Sequence, residues 1–594
     1  HGINSRLFTE MRVFLFTKTD HERIKEDKMI NFKEEVVKLI LGIVEGIDRE
    51  EIESLIETPP SYDMGDYAFP CFKLAKVFKK APNLIAKEVA NEIGENEFFE
   101  KVQNVGPYVN FFINKQTLTR LVLEDVIDKN DIYGSSNIGK GKKVIVEFSS
   151  PNIAKPFHIG HIRSTVIGHS LYRIYKFLGF DTIAINHLGD YGTQFGMLIS
   201  AFKKWGNLEV IEADPINELL KLYVRFNAEA EIDPSLRDEA RMWFKKLEDG
   251  DEEAVQLWKW MREISLKEFN RVYDMLGIKY DSYAGESFYS DKMPRVVKEL
   301  EEKKLLKKSE GAEIVDLEPF GMPPALIKKS DGSTLYITRD IAAAIYRKEH
   351  YDFYKNIYVV GSQQILHFKQ WKKIIELMGY DWAEDCIHVP FGMVSLEEGT
   401  MSTRKGRVIF LEDVLRKAVE KTLEIINERN PDLENKEEVA KQVGIGAVVF
   451  QELFNGRIKD YVFSWDKTLS FEGETGPYVQ YSHARANSLL EKGDFNPDAK
   501  VDFSLLKTDE EINIIRSLHD FPNSILNAME KNEPSFITRH ITELAKAFNK
   551  FYHDCPILSE EEEIKKARLS IVYAVKTTIK TGLYLLGIEA PSKM

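Results

Sequence analysis

Cysteine is scarce in this chain: three in 594 residues, Cys71, Cys386 and Cys555, far apart and without a CxxC pair. That excludes a disulfide framework and a cysteine-built zinc centre, and it fits a reducing compartment. Long apolar runs are missing too; the longest stretches, such as residues 445–450, have the length of core segments and not of membrane spans. There is no internal repeat and no low-complexity tract. Positive charge is in deficit, with 81 Lys and Arg against 95 Asp and Glu, a net charge of −14 and a pI near 5.6. Such a balance argues against indiscriminate coating of nucleic acid, which runs on net positive charge. What is present, 43% hydrophobic and 30% charged residues, suits a globular protein. The length allows about four domains. A soluble, cytoplasmic protein without membrane association is expected.

The acid is local. Residues 45–57 carry −5, residues 229–253 carry −6 and residues 560–563 carry −4, which leaves +1 for everything else. Residues 567–594 carry +3, so a basic face for one shaped polyanion remains open.

The chain opens on His1, and residues 1–28 have neither the apolar centre of a signal peptide nor the acid-poor make-up of a transit peptide. Helical spacing begins after Met29, with Phe32, Val36, Val37, Ile40 and Val44. Residues 1–28 are therefore expected to be a non-native upstream extension. Lys25-Glu26 can be encoded by AAGGAG, a ribosome-binding sequence just ahead of the Met29 codon.

Residues 29–118 mix helical stretches with short strands such as 108–113 and read as a small α/β domain; residues 119–143 read as a linker. A buried-strand run follows at 144–148, then a polar, Pro-bearing loop and a helix from about His161. Strand, loop and helix N-terminus form the opening unit of a nucleotide-binding α/β fold. Further strands at 182–185, 357–360 and 388–389 predict a Rossmann-like parallel sheet over 144–390, with a helical insertion at about 195–300. Residues 391–470 hold a glycine-flanked basic loop and a connecting region. The tail from 471 to 594 predicts an all-helical domain, with Ile537, Ile541, Leu544, Phe548 and Phe551 on one stripe and Gly587 and Pro591 after the last helix.

The strongest local signal is the run Pro151-Asn-Ile-Ala-Lys155-Pro-Phe-His158-Ile-Gly160-His161. His158 and His161 fall at the loop–helix junction, where both can donate to a phosphate whose charge grows in a transition state. Gly160 leaves room for a flat base against the backbone, and Lys155 adds a cation. A bare HxxH is equally two surface histidines on a first helical turn; the preceding strand and Lys155 tip the balance to a nucleotide. A third ligand of matching spacing is missing, so no metal site is expected. The second element, Gly399-Thr-Met401-Ser402-Thr-Arg404-Lys405-Gly406-Arg407, suits a clamp over a polyphosphate, although basic loops are most often solvated surface.

Together these motifs resemble the class I aminoacyl-tRNA synthetases: His158 to His161 is a complete HIGH signature, and Met401-Ser402 belongs to a KMSKS-type loop. The longer strings VEFSSPNIAKPFHIGHIRST, GDYGTQFG, YITRDIAAAIYR, MSTRKG, TGPYVQYSHAR and LLGIEAPSKM resemble the arginyl-tRNA synthetases, from about Met29 to Met594. The resemblance implies ATP-dependent ligation of L-arginine to tRNA(Arg) through an arginyl-adenylate, with Mg²⁺, by a monomer. It implies that Asp340 and Glu286 hold the guanidinium with Tyr336 beside them, and that Glu147, Asn152 and Gln364 bind the α-amino and carboxyl groups. His158 and His161 would stabilise the α-phosphoryl transition state. Gly160, Met401 and Ser402 would seat ATP, while Arg404 and Lys405 approach its leaving pyrophosphate. KMSKS-type loops carry lysine where Thr400 and Thr403 stand here, and Lys155 is the residue placed to compensate. In the tail, Tyr478, Tyr481 and Arg485 share a helical face suited to stacking on splayed anticodon bases, with Tyr552 and Met594 as weaker candidates; core packing competes for each tyrosine.

Three alternatives have their own discriminators. Another class I synthetase would not need the carboxylates of TRD and GES. A small nucleotidyltransferase sharing HxGH would lack the helical tail. An inactive tRNA-binding paralogue would not need His158, Gly160, His161 and Asp340 intact.

Overall fold

The computed structural model describes residues 31–44, 46–329, 336–396, 409–559 and 561–594. The expected extension over 1–28 lies outside the described residues, as does the basic loop with Met401, Ser402, Arg404 and Lys405. The chain divides into two units, His1–Asp125 and Val126–Met594.

In the first unit, Asn31 caps a helix over Phe32–Leu41 by accepting from the Glu34 N–H at 3.2 Å. That helix buries Phe32, Val36, Val37 and Ile40, the stripe its spacing predicts. Three antiparallel strands accompany it, with Tyr108–Ile113 central between Tyr67–Pro70 and Phe99–Val105. A helix over Lys115–Lys129 runs from the expected domain into the expected linker and buries Leu118, Val122, Leu123 and Val126.

The second unit is built on four parallel strands, β1 (Lys143–Glu147), β2 (Asp181–Ile185), β3 (Lys355–Gly361) and β4 (Cys386–Phe391), in the order β4-β3-β1-β2. Chain direction across the sheet reverses between β1 and β3. Their carboxyl ends therefore open a crevice at a topological switch point, where α/β sheets bind ligands. Helix α1 (Ile162–Phe177) returns over β1, and at Gly168 it comes so close that a Cβ would lie 2.1 Å from that of Phe148.

Between β2 and β3 the insertion is helical, including α2 (Pro215–Ile232) and α3 (Glu252–Met275). A small antiparallel sheet of Leu306–Ser309, Ala312–Val315 and Ala325–Lys328 follows. Helices α4 (Tyr336–Tyr351) and α5 (Ile365–Leu377) then pack on the parallel sheet, sharing a core of Ile145, Ile185, Ile341, Ile345, Tyr358, Trp371 and Ile374.

Beyond the sheet lie α6 (Leu411–Arg429) and α7 (Lys436–Phe454), then the helical tail: α8 (Gly476–Lys492), α9 (Asp509–Lys531), α10 (Ser535–Asp554) and α11 (Glu562–Leu585). The α10 stripe Ile537, Ile541, Leu544, Phe548 and Phe551 is wholly buried. Gly587, at φ +76°, ends the last helical turn. Among the described residues no helix is long and apolar enough to cross a membrane.

Candidate active site

The loop leaving β1 is tightly wound, with Ser149, Ser150 and Ala154 all at positive φ. Hydrogen bonds hold it there. The Ser149 N–H donates to Ser164 Oγ at 2.9 Å, and the Ser164 hydroxyl in turn donates to the Val359 carbonyl at 2.7 Å. The loop ends in a turn over Ile159–His161 in which the Gly160 N–H donates to His158 Nδ1 at 3.1 Å. That bond leaves the proton of a neutral His158 on Nε2, free to donate. The His161 ring lies 4.0 Å from the His158 ring, centroid to centroid. Burial lowers the pKa of both; for His161, with His158 and Lys155 beside it, the value falls to about 3. Both are therefore neutral at pH 7, each with an N–H to offer and no positive charge. Burial also lowers the Lys155 pKa, against the pull of Glu286.

A cavity of about 770 Å³ faces this turn, lined by Asn152, Lys155, His158 and His161 on one side and Tyr223 and Asn227 of α2 on the other. A second cavity, of about 410 Å³, opens at the β1–β3 crevice. It is lined by all six residues expected around arginine: Glu147, Asn152, Glu286, Tyr336, Asp340 and Gln364. Asn152 lines both cavities. Its position depends on Gly189, where a Cβ would stand 2.1 Å from Asn152 Oδ1.

Each carboxylate in the second cavity already has a partner. Glu147 pairs with the buried Arg347 at 2.6 Å. Asp340 meets His367 Nε2 at 2.5 Å. Arg339 turns away from its neighbour Asp340 and pairs with Glu286 at 3.2 Å. Burial, with Asp340 and Asp190 adding to it, raises the Glu286 carboxyl to about 7 despite Arg339 and Lys155. Glu286 itself is set by Asp190, whose buried carboxylate accepts from the Ser287 N–H and hydroxyl at 2.9 Å each and from Arg262 of α3 at 2.9 Å.

The segments flanking the basic loop are anchored to this site. The Ile159 N–H donates to the Ile409 carbonyl at 3.1 Å, and the Leu411 N–H to the Phe157 carbonyl at 2.9 Å. Arg163, buried in the first turn of α1, donates to the carbonyls of Gly392 at 3.2 Å and Lys459 at 2.7 Å, and lies 3.6 Å from Glu452 of α7.

In the helical tail, Arg485 lies over the rings of Tyr481 and Tyr552, 4.8 and 5.0 Å from their centroids. Both tyrosines are exposed, at 39% and 44%. Asn549 of α10 joins the group: its Oδ1 accepts from Arg485 at 2.5 Å and its Nδ2 donates to the Tyr478 hydroxyl at 2.9 Å. Met594 packs with the core cluster of Ile426, Val439, Ala440 and Val443 between α6 and α7.

Comparison with known proteins agrees with this architecture. The family model "tRNA synthetases class I (R), catalytic domain" matches residues 122–465, more than half of the chain. Those for the "Arginyl tRNA synthetase N terminal domain" and the "DALR anticodon binding domain" match residues 31–113 and 479–594. The arginine–tRNA ligase of Halothermothrix orenii is 67% identical over 566 residues, 95% of this chain and 100% of that one. The chain belongs to the arginyl-tRNA synthetases. The arginine–tRNA ligase of Clostridioides difficile is 63% identical over the same shares. Among solved structures, the arginyl-tRNA synthetase of Thermus thermophilus superposes with a TM-score of 0.79 at 26% identity, covering 95% of this chain and 99% of that one. The Plasmodium falciparum enzyme gives 0.77 at 25% identity, covering 95% and 98%.

Against this arginyl-tRNA synthetase frame, the sequence reading missed Asp190, His367, Arg347 and Asn549. Asp190 lies inside the GDYG string, which was read only for its resemblance. His367 stands three residues after Gln364 and so shares its helical face, a spacing that could have found it. Arg347 closes the YITRDIAAAIYR string and went unassigned there, while Asn549 had no local signal.

Proposed function

We propose that this chain ligates L-arginine to tRNA(Arg) with ATP, through an arginyl-adenylate, for protein synthesis. The observation that carries the division of labour is the convergence of Glu147, Asn152, Glu286, Tyr336, Asp340 and Gln364 on one cavity, joined through Asn152 to the cavity of Lys155, His158 and His161. Glu286 and Asp340 receive the guanidinium, a planar group that two carboxylates can grip and a lysine ammonium cannot imitate. Tyr336 stands beside it. Glu147 keeps one oxygen on Arg347 and offers the other to the α-ammonium; Asn152 and Gln364 complete the main-chain end.

The arginine carboxylate then attacks the α-phosphorus of ATP in line, and the bond to the bridging oxygen of pyrophosphate breaks. Positioning and charge stabilisation carry this step. Neutral His158 and His161 donate N–H to the α-phosphoryl oxygens, and Lys155 supplies the positive charge. Gly160, Met401 and Ser402 seat the nucleotide; Arg404 and Lys405 meet the departing pyrophosphate. Mg²⁺ would arrive as the counter-ion of ATP, because the described residues lining this cavity include no carboxylate. In the second step the terminal ribose hydroxyl of the tRNA attacks the adenylate carbonyl and releases AMP.

The tail binds the anticodon, with bases stacking on Tyr478, Tyr481 and Tyr552 and a phosphate on Arg485, and with Met594 as a minor contact. The division into 29–118 for tRNA contact, 144–390 for catalysis and 471–594 for the anticodon, with 119–143 and 391–470 connecting them, belongs to the same proposal, as do a working monomer and a cytoplasmic setting. Arginine-dependent exchange of pyrophosphate into ATP, run with and without tRNA(Arg), tests the reading. Exchange with tRNA present is expected; none under either condition overturns it in favour of an inactive tRNA-binding paralogue.

A further inference from the structure

Resting on the reading of Asp340 as a guanidinium ligand, we propose that His367 is a positioning residue for arginine, one that fixes the Asp340 carboxylate so that a single oxygen faces the substrate. Asp340 sits on the first turns of α4 with its side chain one-third exposed, in a cavity wall where a short carboxylate can swing between rotamers. Among the described residues its hydrogen bond comes from His367 Nε2, 2.5 Å from Oδ2. The adjacent cation is not available for that task, because Arg339 is committed to Glu286. Oδ1 is left for the ligand.

The histidine is itself well placed. Gln364, His367 and Trp371 line the same cavity from one end of α5, so a single helical face serves the main-chain end of arginine, the Asp340 carboxylate and the cavity floor. Neighbouring Phe368 is clamped by His388, its ring stacked at 4.0 Å and 9° from parallel. His388 is tied in turn to the Val360 carbonyl at 2.9 Å. The start of α5 is thereby pinned to the end of β3.

A guanidinium donates its N–H bonds in its own plane, so an oriented oxygen binds it at lower ordering cost than a swinging one. His367 touches Asp340 and acts through it. Its loss should weaken arginine binding while sparing the phosphoryl chemistry at His158 and His161.

The test is steady-state aminoacylation of tRNA(Arg) with arginine varied, for the native chain and for His367→Ala, His367→Gln, Asp340→Asn and the double variant His367→Ala/Asp340→Asn. His367→Ala is expected to raise the arginine KM roughly tenfold, the size of one charge-assisted hydrogen bond, with kcat within about twofold. His367→Gln, whose amide Nε2 reaches the same oxygen, is expected to return KM to within about threefold of the native value. In the Asp340→Asn background, His367→Ala should add no more than about twofold, the mark of a residue working through its partner. Should His367→Ala fail to fold, His367→Asn, whose amide falls short of Oδ2, replaces it. Unchanged KM in the His367 variants while Asp340→Asn raises it overturns this proposal alone, as does a fall in kcat without a change in KM. Unchanged KM in Asp340→Asn removes the reading of Asp340 itself and the proposal with it.

Discussion

At the scale of single residues, ionisation decides what each group can do. Lys155 has its pKa lowered by burial beside two neutral histidines, and the loop that carries lysines in related KMSKS motifs has threonine at 400 and 403. If Lys155 supplies the missing charge, Lys155→Ala should lower the rate of arginyl-adenylate formation by roughly 10²-fold, as removal of one transition-state donor does. The arginine KM should stay within about threefold. Single-turnover adenylation checks this; an equal loss in both, or none, would end the compensation idea. Glu286 makes a separate prediction. Burial holds its carboxyl near 7, and a protonated carboxyl forms no ion pair with a guanidinium, so arginine binding at or below that pH releases a proton. The arginine KM should be flat above about pH 7 and climb as pH falls below it, approaching about tenfold per unit. In Glu286→Gln the KM should be high and this acid limb absent. A native profile unchanged from pH 8 to 6 would contradict the shift.

At the scale of elements, most of the frame was legible and the reasons are local. The strand after residue 143 is a continuous β-branched run, and the α10 stripe steps by three and four, so both announce themselves in one dimension. The small sheet over 306–328 did not: its strands are four residues each, and the first, Leu-Lys-Lys-Ser, has a single apolar residue, leaving no alternation to count. The same limit hid part of the site. Residue types at Glu147, Asn152, Asp340 and Gln364 were readable from their motifs. The partners that orient them, His367, Arg347 and Asp190, are chosen by packing between elements far apart in sequence. Helix α1 shows how finely that packing is set. A methyl at position 168 would collide with Phe148 at the end of β1, and only a shift of α1 against that strand end relieves it. Gly168→Ala should therefore cost about 1–3 kcal/mol through overpacking, seen as a lower thermal midpoint. Because the turn that carries His158 and His161 runs directly into α1, kcat should fall with it. Full kcat at a lowered midpoint would mean that the turn moves independently of the helix.

At the scale of the whole molecule, the acidic total stops arguing against an RNA partner once its distribution is taken into account. Three short acidic stretches account for the net charge, and the remainder is nearly neutral at +1. Affinity for tRNA must then come from a few placed cations and from stacking, not from a general positive field. The group of Tyr481, Arg485, Tyr552 and Asn549 separates those two contributions, because an arginine held between two exposed rings offers charge to a phosphate while the rings offer faces to bases. Fluorescence titration of tRNA(Arg) across a range of salt concentrations distinguishes them. Arg485→Gln should weaken binding and make the slope of log affinity against log salt shallower by about 1, one phosphate contact fewer. Tyr481→Ala should weaken binding by about 1–3 kcal/mol with the slope unchanged, since stacking releases no counter-ion. An Arg485→Gln variant that binds less tightly at an unaltered slope would assign the arginine to holding the tyrosines, and the phosphate contact would have to be sought among the +3 of residues 567–594.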